Sequence, residues 1–273
     1  MSLDPARLAE LDAFLIELNR ASAAEILPLF RAEHGLENKA AKLGKPGFDP
    51  VTAADRGAEA AIRRLISQRY PGHGVIGEEF GSDRPEAEFV WVLDPIDGTR
   101  AFVAGLPVWT TLIGLRFQGA PVLGSIGQPY IGELYIGSGL GARLMARGGE
   151  RPLRVRACPT LREAVIATTD PEACFDGAER GAWTQVRAAA RIARLGCDAY
   201  AYAMVAAGQI DLVLEAGLQP WDIEAAVPVI RGAGGEVTDW RGDPIGIHGG
   251  QMAICGDRRV LDEALVSLRR SAK

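Results

Sequence analysis

Trp91-Val92-Leu93-Asp94-Pro95-Ile96-Asp97-Gly98-Thr99 is the stretch from which the rest of the chain is best read. An apolar run of strand character ends, and two carboxylates follow at i and i+3 across a proline. Pro95 fixes the geometry of the turn, and Gly98 lets the backbone approach a neighbour closely. Gly98 and Thr99 then offer main-chain N–H groups suited to an anion. Two carboxylates and a carbonyl on one tight turn form a donor set for a hard divalent cation; with no cation the two charges would repel. The plainer alternative is an Asp-Pro turn whose carboxylates cap local N–H groups.

Three further acids bear on that choice. Glu78 follows the short apolar run Gly74–Gly77 and so sits at a strand end. Asp55 lies in Asp49-Pro50-Val51-Thr52-Ala53-Ala54-Asp55, at the start of a predicted helix, and Asp222 follows Trp221 at the start of another. Each alone has an ordinary explanation, as a solvated loop acid or as an acid favouring a helix N-terminus.

Working outward, Asp4-Pro5 reads as a cap and first helical residue, with Leu8, Leu11, Leu15 and Leu18 carrying an amphipathic helix to about Arg31. Residues 38–48 read as a mobile loop. A second helix follows Thr52, with Ala58, Ala61, Ile62 and Leu65 on one face, and Pro71-Gly72 ends it. Strands are predicted at 74–77, 89–93, 108–117, 122–126 and 133–136, with a glycine-rich turn region at 137–149 leading into 153–156. Beyond Pro159 the prediction alternates: strands at 164–168, 211–215 and 252–255, helices at 179–190, 199–207, 221–232 and 258–270. This pattern predicts two packed subdomains, an α+β unit over 1–157 with most of the metal ligands and an α/β unit over 158–273 with the specificity residues.

Composition excludes several functions. Among 273 residues, 30 Lys and Arg against 35 Asp and Glu give a net charge of -5, with arginines scattered and no basic stripe for nucleic acid. No run approaches the ~18–20 apolar residues of a membrane span. Met1-Ser2-Leu3-Asp4 shows no basic segment followed by an apolar run, so a cytoplasmic protein without membrane partners is expected. Four cysteines (Cys158, Cys174, Cys197, Cys255) and three histidines (His34, His73, His248) are dispersed, which predicts reduced, mostly buried thiols and argues against zinc. The glycine-rich stretches at 137–149 and 232–235 lack the Gly-Lys-Ser/Thr ending of a P-loop. Trp109, Trp183 and Trp240 read as packing residues, and Trp221 as packing behind the acids. Lys39, Lys42 and Lys45 read as a solvated loop or a lid.

In order and context, the acidic segments resemble the motifs of the inositol monophosphatase superfamily of magnesium-dependent, lithium-sensitive phosphatases. Asp49 to Asp55, Ile76-Gly77-Glu78-Glu79, Trp91 to Thr99, and Trp221-Asp222-Ile223-Glu224-Ala225-Ala226 with Ala233-Gly234-Gly235 match its four motifs over nearly the whole chain. The resemblance implies a layered αβαβα fold of the inositol monophosphatase and fructose-1,6-bisphosphatase type, assembled as a homodimer. It also implies that Glu78, Asp94 and the Ile96 carbonyl hold a first Mg2+, and that Asp94, Asp97 and Asp222 hold a second. Asp55 and Thr99, with Glu78, would orient the attacking water. Two or three Mg2+ ions are implied, with Mn2+ as a substitute, and an all-oxygen donor set agrees with that choice. No side chain is expected to act as a covalent nucleophile.

Pro95 to Leu115, Gly196-Cys197-Asp198-Ala199-Tyr200-Ala201-Tyr202 and Leu214 to Asp222 resemble the histidinol-phosphatase branch. Histidinol carries an ammonium and an imidazole, so its pocket should hold unneutralised acids. Asp198 and Glu215 are the candidates, beside Gly98 and Thr99 for the phosphate. Inositol monophosphate is the alternative substrate; Glu215 would serve its hydroxyls too, which makes Asp198 the sharper discriminator unless it only caps the helix that follows. Arg100 would meet phosphate, a partner subunit or solvent. A non-catalytic regulatory protein would be expected to lack a metal carboxylate or to carry a basic surface, and the sequence has neither feature.

Overall fold

A computed structural model describes residues 3–33, 35–38 and 50–273, with Pro50 and Val51 described by their backbone alone. Helix α1 (Pro5–Ile26) starts as predicted, with Asp4 accepting from the Arg7 N–H and Leu8, Leu11, Leu15 and Leu18 buried. It stops at Ile26 rather than Arg31. Pro28 has no N–H to continue the ladder, Leu27–Leu29 tightens into a 3-10 turn, and Arg31 takes φ 61°. A short antiparallel pair joins β1 (Glu37–Asn38) to β2 (Pro50–Val51). The rest of the loop expected at 38–48, with Lys39, Lys42 and Lys45, lies outside the described residues, as does His34.

Helix α2 (Ala53–Arg69) is capped by Thr52 in a capping box closed by Asp55. Then come β3 (Gly74–Gly77), β4 (Gly81–Asp83), β5 (Phe89–Asp97), α3 (Thr99–Val103), β6 (Thr110–Phe117), β7 (Ala120–Gln128), β8 (Glu133–Ser138), β9 (Gly141–Ala146) and β10 (Gly149–Pro152). The eight strands form one sheet in the order β10-β9-β8-β7-β6-β5-β3-β4, antiparallel except for β3 beside β5. The region expected as a turn at 137–149 therefore contains a strand, β9, and the strand expected at 153–156 lies earlier, as β10. Ladder bonds to both neighbours of β9 outweigh its glycine-rich surroundings.

The second half supplies β11 (Val165–Thr168), α4 (Pro171–Cys174), α5 (Gly177–Ala189), β12 (Ile192–Leu195), α6 (Tyr200–Ala206), β13 (Leu212–Leu218), α7 (Pro220–Ile223), α8 (Ala226–Gly232), β14 (Glu236–Thr238), β15 (Gly250–Cys255) and α9 (Arg258–Leu268). Its five strands run β12-β11-β13-β15-β14. Sequence pattern missed β12, an edge strand with Ile192 and Leu195 exposed, and the three-residue β14. The single helix predicted at 221–232 is divided, because Pro228 has no N–H for the Glu224 carbonyl one turn back. Among the described residues no helix is long and apolar enough to cross a membrane. The four cysteines are unpaired; Cys158 and Cys255 are buried as expected, but Cys174 is exposed. Trp109, Trp183 and Trp240 are buried packing residues, whereas Trp221 is only half-buried.

Strand alternation builds the layers. Trp91, Leu93, Ile113 and Leu115 point from the first sheet to α1 and α2, while Leu112 and Ile126 point to the layer of α6 and α8. On β13, Leu212 and Leu214 face α5 and α9, and Val213 faces the central helices. The result is an αβαβα sandwich.

The central layer sits unusually close to the first sheet. Gly114, Gly124 and Gly137 are register partners on β6, β7 and β8. A Cβ on Gly114 would lie 3.1 Å from the Ala225 nitrogen; on Gly124 it would overlap the Ala225 carbonyl, and on Gly137 the backbone of Val229. This row of missing side chains lets α8 and its joint with α7 rest backbone-on-backbone. Gly124→Ala should destabilise the protein by about 1–3 kcal/mol in urea unfolding. Gly139→Ala, whose Cβ meets nothing within 4 Å, should be near neutral. Equal midpoints for the two variants would refute this account.

Candidate active site

The sequence predicts that the strand before Asp94 ends there, but β5 continues to Asp97 through a bulge. Asp94 pairs with Leu112 and Asp97 with Thr110, so Pro95 and Ile96 oppose Thr111 alone. In a regular strand, residues i and i+3 face opposite sides; the extra residue returns Asp97 to the face of Asp94. Pro95 suits the bulge because it has no ladder N–H to lose, and its carbonyl accepts from the Thr111 hydroxyl at 2.8 Å. The Ile96 carbonyl accepts from the Thr99 hydroxyl at 3.1 Å, and the Ile96 side chain is buried. Gly98, at φ 78°, then turns the chain into α3.

Asp222 arrives from the central layer. It stands in the single turn of α7, where one carboxylate oxygen accepts from the Gln219 N–H at 2.7 Å. Carboxylate oxygens of Asp94, Asp97 and Asp222 all lie within 4.8 Å of one another. Glu78 joins them: β3 runs parallel to β5, the Glu78 N–H donates to the Leu93 carbonyl at 3.2 Å, and the Glu78 carboxylate is close enough for its charge to act on Asp94.

Burial first, and then the charges of Glu78, Asp97 and Asp222, push the Asp94 carboxyl well above the usual carboxylate range. Burial and the charges of Asp198 and Asp222 do the same to Asp97. Asp222 is raised to about 7, chiefly by burial. The Asp94 Oδ1 is buried without a hydrogen-bond partner. An orphaned carboxylate oxygen among like charges, with only oxygen donors around it, fits a bound divalent cation.

Asp55 is buried in the first turn of α2, and its Oδ2 accepts from the Thr52 N–H at 2.8 Å and the Thr52 hydroxyl at 2.6 Å. Ala54 and Ala58 of the same helix pack with Ile96 and Phe102, which sets this turn beside the bulge.

The two acids expected to meet the leaving group face the same region. Glu215, on β13, is buried and accepts from the Thr169 N–H at 2.8 Å and its hydroxyl at 2.9 Å; burial raises it to about 8. Asp198 is half-buried at φ 45°, with its carboxylate over Gly98; a Cβ there would lie 2.9 Å from the Asp198 carboxyl carbon. Burial raises Asp198 to about 6, while the Arg100 charge opposes the rise. The helix-capping alternative fails, because α6 begins after Ala199 and has no side-chain cap. Arg100 is exposed, 3.7 Å from Asp170.

Sequence reading missed several contributors. Glu59, fully buried, accepts from the Glu79 N–H at 2.8 Å and pairs with Arg63 at 2.7 Å, holding the turn that presents Glu78. Its only sequence signal is the Glu-Arg spacing of four, which is common on helix surfaces. The Ala199 N–H donates to Asp97 Oδ2 at 2.7 Å, a main-chain contact that no residue type could announce. Thr169 could be linked to Glu215 only once β11 and β13 were known to be neighbours.

Comparison with known proteins agrees with this geometry. Residues 7–273 match the family described as Inositol monophosphatase family. The chain is 40% identical to a bifunctional phosphatase, IMPL2, chloroplastic, of Arabidopsis thaliana, over 95% of this chain and 76% of that one. It is 36% identical to a histidinol-phosphatase of Chlorobaculum parvum, over 71% and 73% respectively. Among solved structures, an inositol monophosphatase from Zymomonas mobilis superposes with a TM-score of 0.81 at 36% identity, covering 93% of this chain and 96% of that one. With its fold, its converging acids and these likenesses in agreement, the chain belongs to the inositol monophosphatase family of phosphatases.

Proposed function

We propose that the protein is a magnesium-dependent phosphomonoesterase that hydrolyses L-histidinol phosphate to L-histidinol and phosphate, a step of histidine biosynthesis. The observation that carries the substrate assignment is the Asp198 carboxylate, which lies over Gly98 and caps no helix. Glu78, Asp94, the Ile96 carbonyl, Asp97 and Asp222 would hold two or three Mg2+ ions, with Mn2+ as a substitute. Bound there, the cations would supply an activated water and charge neutralisation of the phosphate and leaving oxygen.

The chain's own groups do the remaining work. Asp55 and Thr99, with Glu78, orient the attacking water. The Gly98 and Thr99 N–H groups receive phosphate oxygens. Asp198 and Glu215 meet the ammonium and imidazole of the leaving alcohol, where charge-assisted hydrogen bonds are strongest. Residues 1–157 then carry the cation site and residues 158–273 the specificity, with Asp222 reaching from the second to the first. A lithium-sensitive homodimer in the cytoplasm belongs to the same reading. Inositol 1-phosphate is the alternative substrate, with Glu215 serving its hydroxyls; the likeness to the Zymomonas mobilis enzyme supports it.

Phosphate release with Mg2+ should favour L-histidinol phosphate over inositol 1-phosphate and vanish in Asp94→Asn. Asp198→Asn should lower kcat/KM for histidinol phosphate on the order of 10–100-fold, the loss of one charged contact, and change the inositol rate much less. A preference for inositol 1-phosphate would overturn the substrate assignment.

The raised acids also set a pH dependence. Asp198, Asp222 and Glu215 rise to about 6, 7 and 8, so the folded chain keeps protons that the unfolded chain has already released. These three acids therefore contribute stability to the cation-free protein that is lost as pH rises from ~4 through ~8. Cations bind the ionised form, so Mg2+ should raise Tm more at pH 8.5 than at pH 5.5, by on the order of 5 °C. Scanning fluorimetry with EDTA or Mg2+ at both pH values tests this, and equal gains would contradict it.

A further inference from the structure

A buried ion pair lies two residues beyond Asp222. Arg116 of β6 meets Glu224, in the joint between α7 and α8. Its Nε donates to Oε2 at 3.0 Å, and a second guanidinium nitrogen donates to Oε1. Glu224 is 1% exposed and Arg116 8%. Withdrawing two charges from water costs several kcal/mol per ion, and an apolar pair of equal volume would often hold two elements together as well or better. What the ion pair adds is direction, since a planar guanidinium gripping both carboxylate oxygens fixes rotation as well as distance.

Direction matters at this joint. Pro228 has no N–H for the Glu224 carbonyl, so the helical ladder is broken just where Asp222 is aimed. The Glu224 N–H closes the turn of α7 on the Pro220 carbonyl at 3.0 Å, which ties Glu224 to the turn that carries Asp222. On the other side, the backbone of Glu224 and Ala225 rests against Gly114, two residues from Arg116 on the same strand.

We propose that Arg116 and Glu224 are positioning residues for Asp222. Their pair fixes the tilt of α7 over β5 and so the aim of the Asp222 carboxylate toward Asp94 and Asp97, which sets affinity for the divalent cation without contact with substrate. The proposal rests on the metal-site reading above.

The test is Mn2+ binding by calorimetry to the full chain, below the melting temperature of each variant. Arg116→Met and Glu224→Gln should each weaken Mn2+ binding on the order of 10–100-fold, as loss of a ligand's supporting partner does. Arg116→Lys, which keeps the charge but not the fork, should recover part of the loss. The half-saturating Mg2+ concentration should rise in parallel, with kcat at saturating Mg2+ nearly unchanged. If Arg116→Met does not fold, Glu224→Gln carries the comparison, because it keeps the shape of the side chain. Wild-type Mn2+ affinity in the folded variants, whatever their Tm, would overturn the proposal and leave the pair a merely structural role. Asp222→Asn separates the two failures: unchanged Mn2+ binding in that variant would sink the metal site itself.

Discussion

Like charges have to be forced together, and much of this fold is arranged to do so. Asp94, Asp97 and Asp222 converge within 4.8 Å, with Glu78 close enough for its charge to act on Asp94. No favourable contact among the four acids themselves would bring them there. Each is delivered by a backbone device whose stability comes from elsewhere: a bulge pinned against the antiparallel strand β6, the end of the parallel strand β3, and a helical turn whose joint with α8 rests on a row of glycines. Backbone hydrogen bonds and apolar packing hold the geometry, which the carboxylates oppose until a cation joins them.

The cluster therefore has supports on three sides. Glu59 and Arg63 pin the turn behind Glu78, the Thr111 hydroxyl pins the bulge at Pro95, and the Arg116–Glu224 pair stands at the joint after Asp222. These are mostly buried polar contacts, costly to leave half-made, and they connect α2, β5, β6 and α7 around one point.

Sequence and structure agree best where a residue's own chemistry decides its conformation. Asp4-Pro5, Thr52 with Asp55, and the leucines of α1 behave locally as their types require. The four acidic motifs were legible in a different way, because each acid alone has an ordinary explanation and only their joint order and context resemble a known family. The bulge at Pro95-Ile96 was not, because it exists only in relation to Thr111 on the neighbouring strand. β9 and β12 escaped because ladder bonds rather than side-chain patterns make them strands. The break after Ile223 could have been read from Pro228. The glycine row could not, because its three members are 10 and 13 residues apart and become neighbours only through register.

The contact between Asp97 and the Ala199 N–H joins the first sheet to the loop that enters α6 through a donor that every residue except proline possesses. Side chains at 198 and 199 can be exchanged without removing it. The Asp97 carboxylate is thus fastened to the loop that carries Asp198 by a clasp that is blind to the side chains of that loop. A lineage could try new leaving groups by substitution in that loop while the charge cluster kept its shape, which is a structural basis for one scaffold diverging into many specificities.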